Sequence, residues 1–170
     1  IMEFGAMQCS PKKPLCLLCP LSDSCVALEK GLVDQLPVKL KKTKVSNRYF
    51  NYLIPIYKDA KNNKFTILQQ RKGKGIWQNL WEFPLIESKA SLELNDVIAG
   101  SNAVFDGAVV KDIHIYNDMD IVHKLSHQHL HTKFWIVDIE ADLTNKIPVE
   151  KVTEFPVPVL IADFIKAFKF

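Results

Sequence analysis

Residues 75–84 read GIWQNLWEFP, and the fold of the chain turns on them. Within GKGIWQNLWEFPLI (73–86) they form a glycine-opened loop that leads into a third strand. Trp81 is expected in the core, whereas Trp77, in the glycine loop, suits either the core or stacking on a base. Upstream, RYFNYLIPIY (48–57) is aromatic and β-branched, KDAKNNK (58–64) is a turn, and FTILQQR (65–71) is a second strand, together a hairpin. Downstream, SLELNDVIAGSN (91–102) fits a helix with Ser91 as its cap and Gly100 as its stop. VVKDIHIYNDMDIVHKL (109–125) and HLHTKFWIVDIEA (129–141) are expected as two further strands, and VPVLIADFIKAF (157–168) as an amphipathic helix behind Pro158. Strands, helix, strands, helix in that order predict an α+β domain with a mixed sheet and flanking helices.

Composition sets the class. The 170 residues are 48% hydrophobic and 24% charged, enough to bury an ordinary core. No apolar run is long enough to span a membrane and no export signal precedes the first cysteine, so a cytoplasmic location is expected. The net charge of +3 is modest, but its distribution is not even. Between Asp34 and Asp59 there is no acidic residue, while Lys39, Lys41, Lys42, Lys44, Arg48 and Lys58 all lie there. That bias suits a polyanion, or a basic linker kept soluble. IMEFGAM (1–7) reads as the last turns of a helix that starts upstream, so the chain is expected to be part of something longer.

All four cysteines stand in CSPKKPLCLLCPLSDSC (9–25), spaced C-x6-C-x2-C-x5-C. Two disulfides would need an oxidising compartment, which no export signal supports. A metal centre accounts for the crowding better, with Pro11, Pro14 and Pro20 supplying turns. Four thiolates serve zinc or an iron-sulfur cluster equally, and a single C-x2-C pair, Cys16 and Cys19, does not favour zinc.

FGAMQC…KPLCLLCPLSDSC resembles the cluster loop that closes the helix-hairpin-helix DNA glycosylases of the endonuclease III and MutY group. The resemblance implies a 4Fe-4S cluster on Cys9, Cys16, Cys19 and Cys25, and a loop that offers Lys12 and Lys13 to phosphate. GIWQNLWEFP is similar to the strand of the Nudix fold found in MutT. Working Nudix hydrolases follow it with a helix of the form G-x5-E-x7-R-E-x2-E-E, whose carboxylates hold a divalent metal. Here Glu87, Glu93 and Asp96 are present without the paired glutamates, so the Nudix shape is expected without its chemistry.

A cluster loop, the linker LPVKLKKTK (36–44) and a degenerate Nudix-like domain together resemble MutY-type adenine glycosylases. That likeness implies residues 1–28 as the end of an all-α domain, 29–46 as a basic linker contributing Lys41 and Lys42 to DNA binding, and 47–170 as the Nudix-like domain. It further implies a monomeric, nucleoid-associated bacterial repair protein acting on DNA that carries 8-oxoguanine opposite adenine. No catalytic residue is expected within the chain. HKLSHQHLH (123–131) is similar to the family loop that reads the oxidised guanine through a Phe-Ser-His triplet. Ser126 and His127 match it, and Leu125 stands in place of the phenylalanine. Oxidation turns guanine N7 into a donor and adds a carbonyl at C8. A hydroxyl can accept from the first, and a neighbouring N–H can meet the second. His127, His129 and His131 alternate, so a strand would set all three on one face, a pattern that also suits a metal. The alternatives are a Nudix-type pyrophosphohydrolase and a zinc-dependent DNA-binding module.

Overall fold

Phe50, Tyr52 and Ile54 alternate with Asn51 and Leu53, and all five are buried. A strand buried on both faces must lie at the centre of a sheet with layers above and below it. In the computed structural model this strand is β1 (Ser46–Lys58). Residues 2–10, 12–36, 38, 44–105, 108–140 and 145–170 are described, in two units, Ile1–Thr43 and Lys44–Phe170.

In the second unit β1 pairs in parallel with β8 (Gln128–Ile139), from Ser46 opposite Gln128 to Tyr57 opposite Ile139. Short antiparallel strands line the outer edges of this long pair. β5 (Leu85–Ser88) and β2 (Lys64–Thr66) lie end to end along β1, with β9 (Ile147–Pro148) beyond β2. β7 (Ile121–Lys124) and β6 (Val110–Ile115) lie end to end along β8. A second small sheet joins β3 (Gln69–Gln70) to β4 (Trp81–Glu82). The mixed sheet expected from the sequence is therefore present.

Helices cover both faces. Phe50, Tyr52, Ile54, Leu130, Phe134 and Ile136 pack with Leu160, Ile161, Phe164 and Ile165 of α4 (Val159–Phe168). On the other face Leu53, Trp135, Val137 and Ile139 pack with Ile113, Phe105 and Val97, the last from α3 (Leu94–Val104). Asn51 is buried on this face because its Oδ1 accepts the Trp135 indole N–H at 3.1 Å.

Several sequence expectations need correction. FTILQQR is not one strand: Ile67 and Leu68 separate β2 from β3, which belong to different sheets. The third strand is not continuous either, because Phe83 and Pro84 separate β4 from β5. The cap of α3 is Glu93 rather than Ser91, and it closes a capping box with Asp96, whose Oδ2 accepts the Glu93 N–H at 3.1 Å. Gly100 lies inside α3 instead of stopping it. A β-carbon there would stand 2.7 Å from Ile86 Cδ1, so the residue lets the helix approach β5. Residues 109–125 form two strands, β6 and β7. Asn117 replaces the ladder between them: its Nδ2 donates to the Thr132 and Met119 carbonyls at 3.0 and 2.9 Å, and its Oδ1 accepts the Phe134 N–H at 2.8 Å.

The first unit consists of α1 (Met2–Gln8), α2 (Val26–Glu29) and three 3-10 turns, at Cys16–Leu18, Ser22–Ser24 and Val33–Gln35. None of its described residues is buried, and Met2, Met7, Leu17 and Leu18 are largely exposed. No helix of the described residues is long and apolar enough to cross a membrane.

Candidate functional site

The β7–β8 connection is Leu125-Ser126-His127, three residues closed by the Leu125 N–H donating to the Gln128 carbonyl at 2.9 Å. The tip is pinned from the neighbouring strand. Ser46 donates both its N–H (3.1 Å) and its hydroxyl (3.3 Å) to the His127 carbonyl. Below it, Arg48 donates Nη1 to Gln128 Oε1 at 2.9 Å and a two-point fork to Glu87, at 2.6 and 2.7 Å. That fork holds the Glu87 carboxyl below its ordinary range and raises the Arg48 guanidinium. Leu125 is half-buried against the core, so it props the loop from beneath. Ser126 and His127 are exposed, and neither side chain has a hydrogen-bond partner among the described residues. The result is a rigid hairpin that presents one hydroxyl and one imidazole, both free.

The histidines do not act as a set. His127 belongs to the turn, while His129 and His131 lie on β8. His131 is engaged elsewhere: its ring stacks on Tyr49 (4.8 Å between centroids), and its Nδ1 is 3.4 Å from Asp120 Oδ2. Sequence reading placed no carboxylate beside these histidines. Asp120 comes there because it immediately precedes β7, which pairs with this part of β8.

The carboxylates of the Nudix-like segment are also occupied. Glu82 is buried and accepts Arg71 Nη1 at 2.8 and 2.9 Å and the Tyr52 hydroxyl at 3.1 Å. Burial, with the Glu82 charge beside it, pushes the Tyr52 hydroxyl far above the tyrosine range, so it stays a donor. Glu87 is in the Arg48 fork, and Glu93 and Asp96 cap α3. Among the described residues, the three metal-ligating side chains with ligand atoms all within 4.8 Å of one another are Asp112, His114 and Asp138, which are none of these carboxylates.

Trp81 is half-buried against Phe155 (centroids 4.9 Å apart), as a core residue would be. Trp77 is also half-buried, but its φ of +59° is a left-handed conformation that a bulky residue rarely adopts. Its ring meets Phe50 at 6.1 Å and His123 at 5.8 Å.

In the first unit all four cysteines, with Gln8, Ser22 and Leu28, line one cavity of about 30 Å³. The thiols are free, and Gln8 Oε1 is buried without a partner. Four thiolates on one zinc at about 2.3 Å would stand about 3.8 Å apart. Among the described residues no three of these sulfurs lie within 4.8 Å of one another. Four thiols around one cavity are a donor set that either a 4Fe-4S cluster or a zinc ion takes, the cluster with the wider spacing of the sulfurs. Lys12 and Lys13 are exposed on the loop between the first two cysteines. Lys39, Lys41, Lys42, Pro11 and Pro37 lie outside the described residues.

Comparison with known proteins agrees with this geometry. The NUDIX domain family model matches residues 58–167. An adenine DNA glycosylase of Buchnera aphidicola from Schizaphis graminum is 35% identical over 89 residues, 52% of this chain and 24% of that protein. Its counterpart from the Baizongia pistaciae strain is 28% identical over 140 residues, covering 81% and 36%. The chain thus spans only about a quarter to a third of the curated relatives it matches. Among solved structures, the C-terminal domain of mouse MUTYH, determined in complex with human PCNA, superposes with a TM-score of 0.55 at 12% identity, over 72% of this chain and 87% of that one. A Nudix hydrolase from M. smegmatis superposes at 0.50 and 12% identity, over 77% and 86%. At such identities these two likenesses speak to the fold.

Proposed function

The chain belongs to the NUDIX domain family, and from that premise we propose that it is the lesion-reading part of an adenine DNA glycosylase. On this reading the parent enzyme removes adenine mispaired with 8-oxoguanine, and this part binds the 8-oxoguanine strand and carries no catalytic residue. The observation that carries the proposal is the hairpin tip, where Ser126 and His127 stand free and exposed on a loop held by Ser46, Arg48 and Leu125. The Ser126 hydroxyl accepts from N7–H of the oxidised base, and an N–H of the loop or of His127 donates to its C8 carbonyl. Intact guanine offers N7 as an acceptor and has no oxygen at C8, so the second contact is lost. Glycosylase relatives support the reading, and so does the commitment of Glu82, Glu87, Glu93 and Asp96 to ion pairs and a helix cap.

Cys9, Cys16, Cys19 and Cys25 hold a 4Fe-4S cluster in the parent, where it organises the loop bearing Lys12 and Lys13. The bare apolar surface of the first unit then packs against an all-α domain, and the linker lysines, Lys41 and Lys42 among them, attract phosphate. The parent is expected to be a monomeric, nucleoid-associated protein of the bacterial cytoplasm.

The test is the affinity of the full-length protein for duplexes with 8-oxoguanine or guanine opposite an uncleavable adenine analogue. Replacing Ser126 and His127 by alanine should reduce the preference by about 1–3 kcal/mol, the value of one good base-edge contact. An unchanged ratio would refute the role given to the hairpin. Iron and sulfide in anaerobically prepared protein test the cluster, and stoichiometric zinc without iron would refute it.

A further inference from the structure

The glycine loop between β3 and β4 has no role in the reading so far. Its base is closed tightly: the Arg71 N–H donates to Leu80 and the Asn79 N–H to Arg71, at 2.9 and 2.8 Å, and Gln70 Nε2 donates to the Asn79 carbonyl at 3.1 Å. The buried Arg71–Glu82 pair anchors it from within. Trp77, in its left-handed conformation, joins the loop to β7 through His123, two residues before Leu125. The segment is thus fixed beside the hairpin, with Lys72, Gly73, Lys74 and Gly75 exposed.

Three features of that exposed segment have no explanation inside the protein. The Lys72 and Lys74 ammonium groups have no ion-pair partner among the described residues. The N–H groups of Gly73, Lys74 and Gly75 donate no hydrogen bond to any of the described residues. Gly75 needs to be glycine, with φ at +139°, but Gly73 does not. Its φ lies outside that region, and a β-carbon on it would meet nothing within 4 Å. A glycine that neither conformation nor packing requires is what close approach of a ligand to the backbone calls for. Charge identifies the ligand. Residues 121–137, which include the hairpin, carry no acidic side chain, and the glycine loop has none between Arg71 and Glu82.

We propose that residues 72–75 form a phosphate clamp, in which the two ammonium groups and the free N–H groups grip a DNA phosphodiester next to the lesion-reading hairpin. The clamp rests on the reading given above for that hairpin. It contributes sequence-blind affinity, and Ser126 and His127 contribute the preference.

Four variants of the full-length protein test this, titrated at several salt concentrations against the same two duplexes. K72Q/K74Q should weaken binding to both duplexes by the same factor and flatten the slope of log affinity against log salt by about 1 per lysine. Gly73→Ala should weaken both while leaving the thermal midpoint unchanged, since only a ligand meets the added methyl group. K61Q/K64Q, the same charge change at the far end of β1, should match the wild type. S126A/H127A should change the ratio between duplexes and leave the salt slope intact. The clamp is overturned if K72Q/K74Q and Gly73→Ala bind both duplexes like the wild type, if K61Q/K64Q flattens the slope equally, or if K72Q/K74Q alters the ratio instead of the shared affinity. A loss of the clamp with the S126A/H127A effect preserved removes this proposal and leaves the hairpin reading standing. The converse outcome removes the hairpin reading alone.

Discussion

Arg71→Met should be among the most destabilising single changes in the second unit. Among the described residues the Arg71 guanidinium is the one cation ion-paired with Glu82, which is 5% exposed. Methionine approximates the length and volume of the lost stem, so contact with Phe50 is largely kept and the change isolates the charge. What remains is a buried carboxylate with a single donor, the Tyr52 hydroxyl at 3.1 Å. Breaking a buried pair from one side costs about 3–5 kcal/mol, because the surviving charge has neither water nor partner. For a domain of this size each kcal/mol moves the midpoint by roughly 3–5 °C, so a loss on the order of 10–20 °C is expected.

Arg71→Met with Glu82→Leu removes both charges and should recover most of that loss. The remaining deficit, about 1–3 kcal/mol, is the buried Tyr52 hydroxyl left without its acceptor. Urea unfolding of the 170-residue chain, followed by far-UV circular dichroism, measures both variants. A single-variant loss below about 1 kcal/mol, or a double variant no more stable than the single, would refute the argument that burial of the charge sets the cost.

Three further outcomes are expected. Glu87→Gln should destabilise the chain at pH 7 and progressively less as pH falls below 4.5: the Arg48 fork lowers the folded pKa of Glu87 below its ordinary 4.5, so its stabilisation is present above that value and lost as pH falls through the folded one. Urea titrations over this range check this, and a gap that does not narrow with falling pH would exclude the ion pair as its source. Asn117→Ala should cost about 1–3 kcal/mol, since it strands the Phe134 N–H and the Thr132 carbonyl, and amide exchange at Phe134 should accelerate with it. With Mg²⁺ and nucleoside triphosphates the chain should release no pyrophosphate; release that Glu87→Gln or Glu93→Gln abolishes would restore the hydrolase alternative.

Much of the fold was legible because β1 is a long aromatic and β-branched run, and because Asp59 and its asparagines mark the turn after it: Asp59 Oδ1 accepts the Lys61 and Asn63 N–H groups at 2.8 Å. The parallel pairing of β1 with β8 was not legible, since 81 residues separate Ser46 from its contact at His127 and nothing local records that meeting. The break between β6 and β7 was missed for a related reason. Asn117 takes over ladder bonds with its side chain, and this works only where Thr132 and Phe134 present the complementary groups. The cap at Glu93 was readable in principle, as a carboxylate three residues before Asp96, but Ser91 is the more usual residue at such a position. In the site, the exposed tip at Ser126 and His127 followed from the resemblance. Its supports from Ser46, Arg48 and Glu87 come from distant segments and needed the structure.

Those supports bear on how a loop with a serine could discriminate at all. A free hydroxyl donates as readily as it accepts, so Ser126 alone would satisfy guanine N7 and 8-oxoguanine N7–H nearly equally. Selectivity on the proposed reading must therefore come from holding the contacts of the tip in place, the Ser126 hydroxyl as an acceptor and an N–H of the loop or of His127 as a donor to the C8 carbonyl. They discriminate only if they hold their position when the wrong base arrives. Here Glu87, one of the carboxylates of the Nudix-like segment, is turned to that purpose. Glu87 on β5 fixes Arg48 on β1, Arg48 fixes Gln128 at the first position of β8, and Ser46 fixes the His127 carbonyl. A carboxylate neutralised in a two-point fork with arginine is a poor ligand for a hard cation, and the same fork is what keeps the hairpin in register.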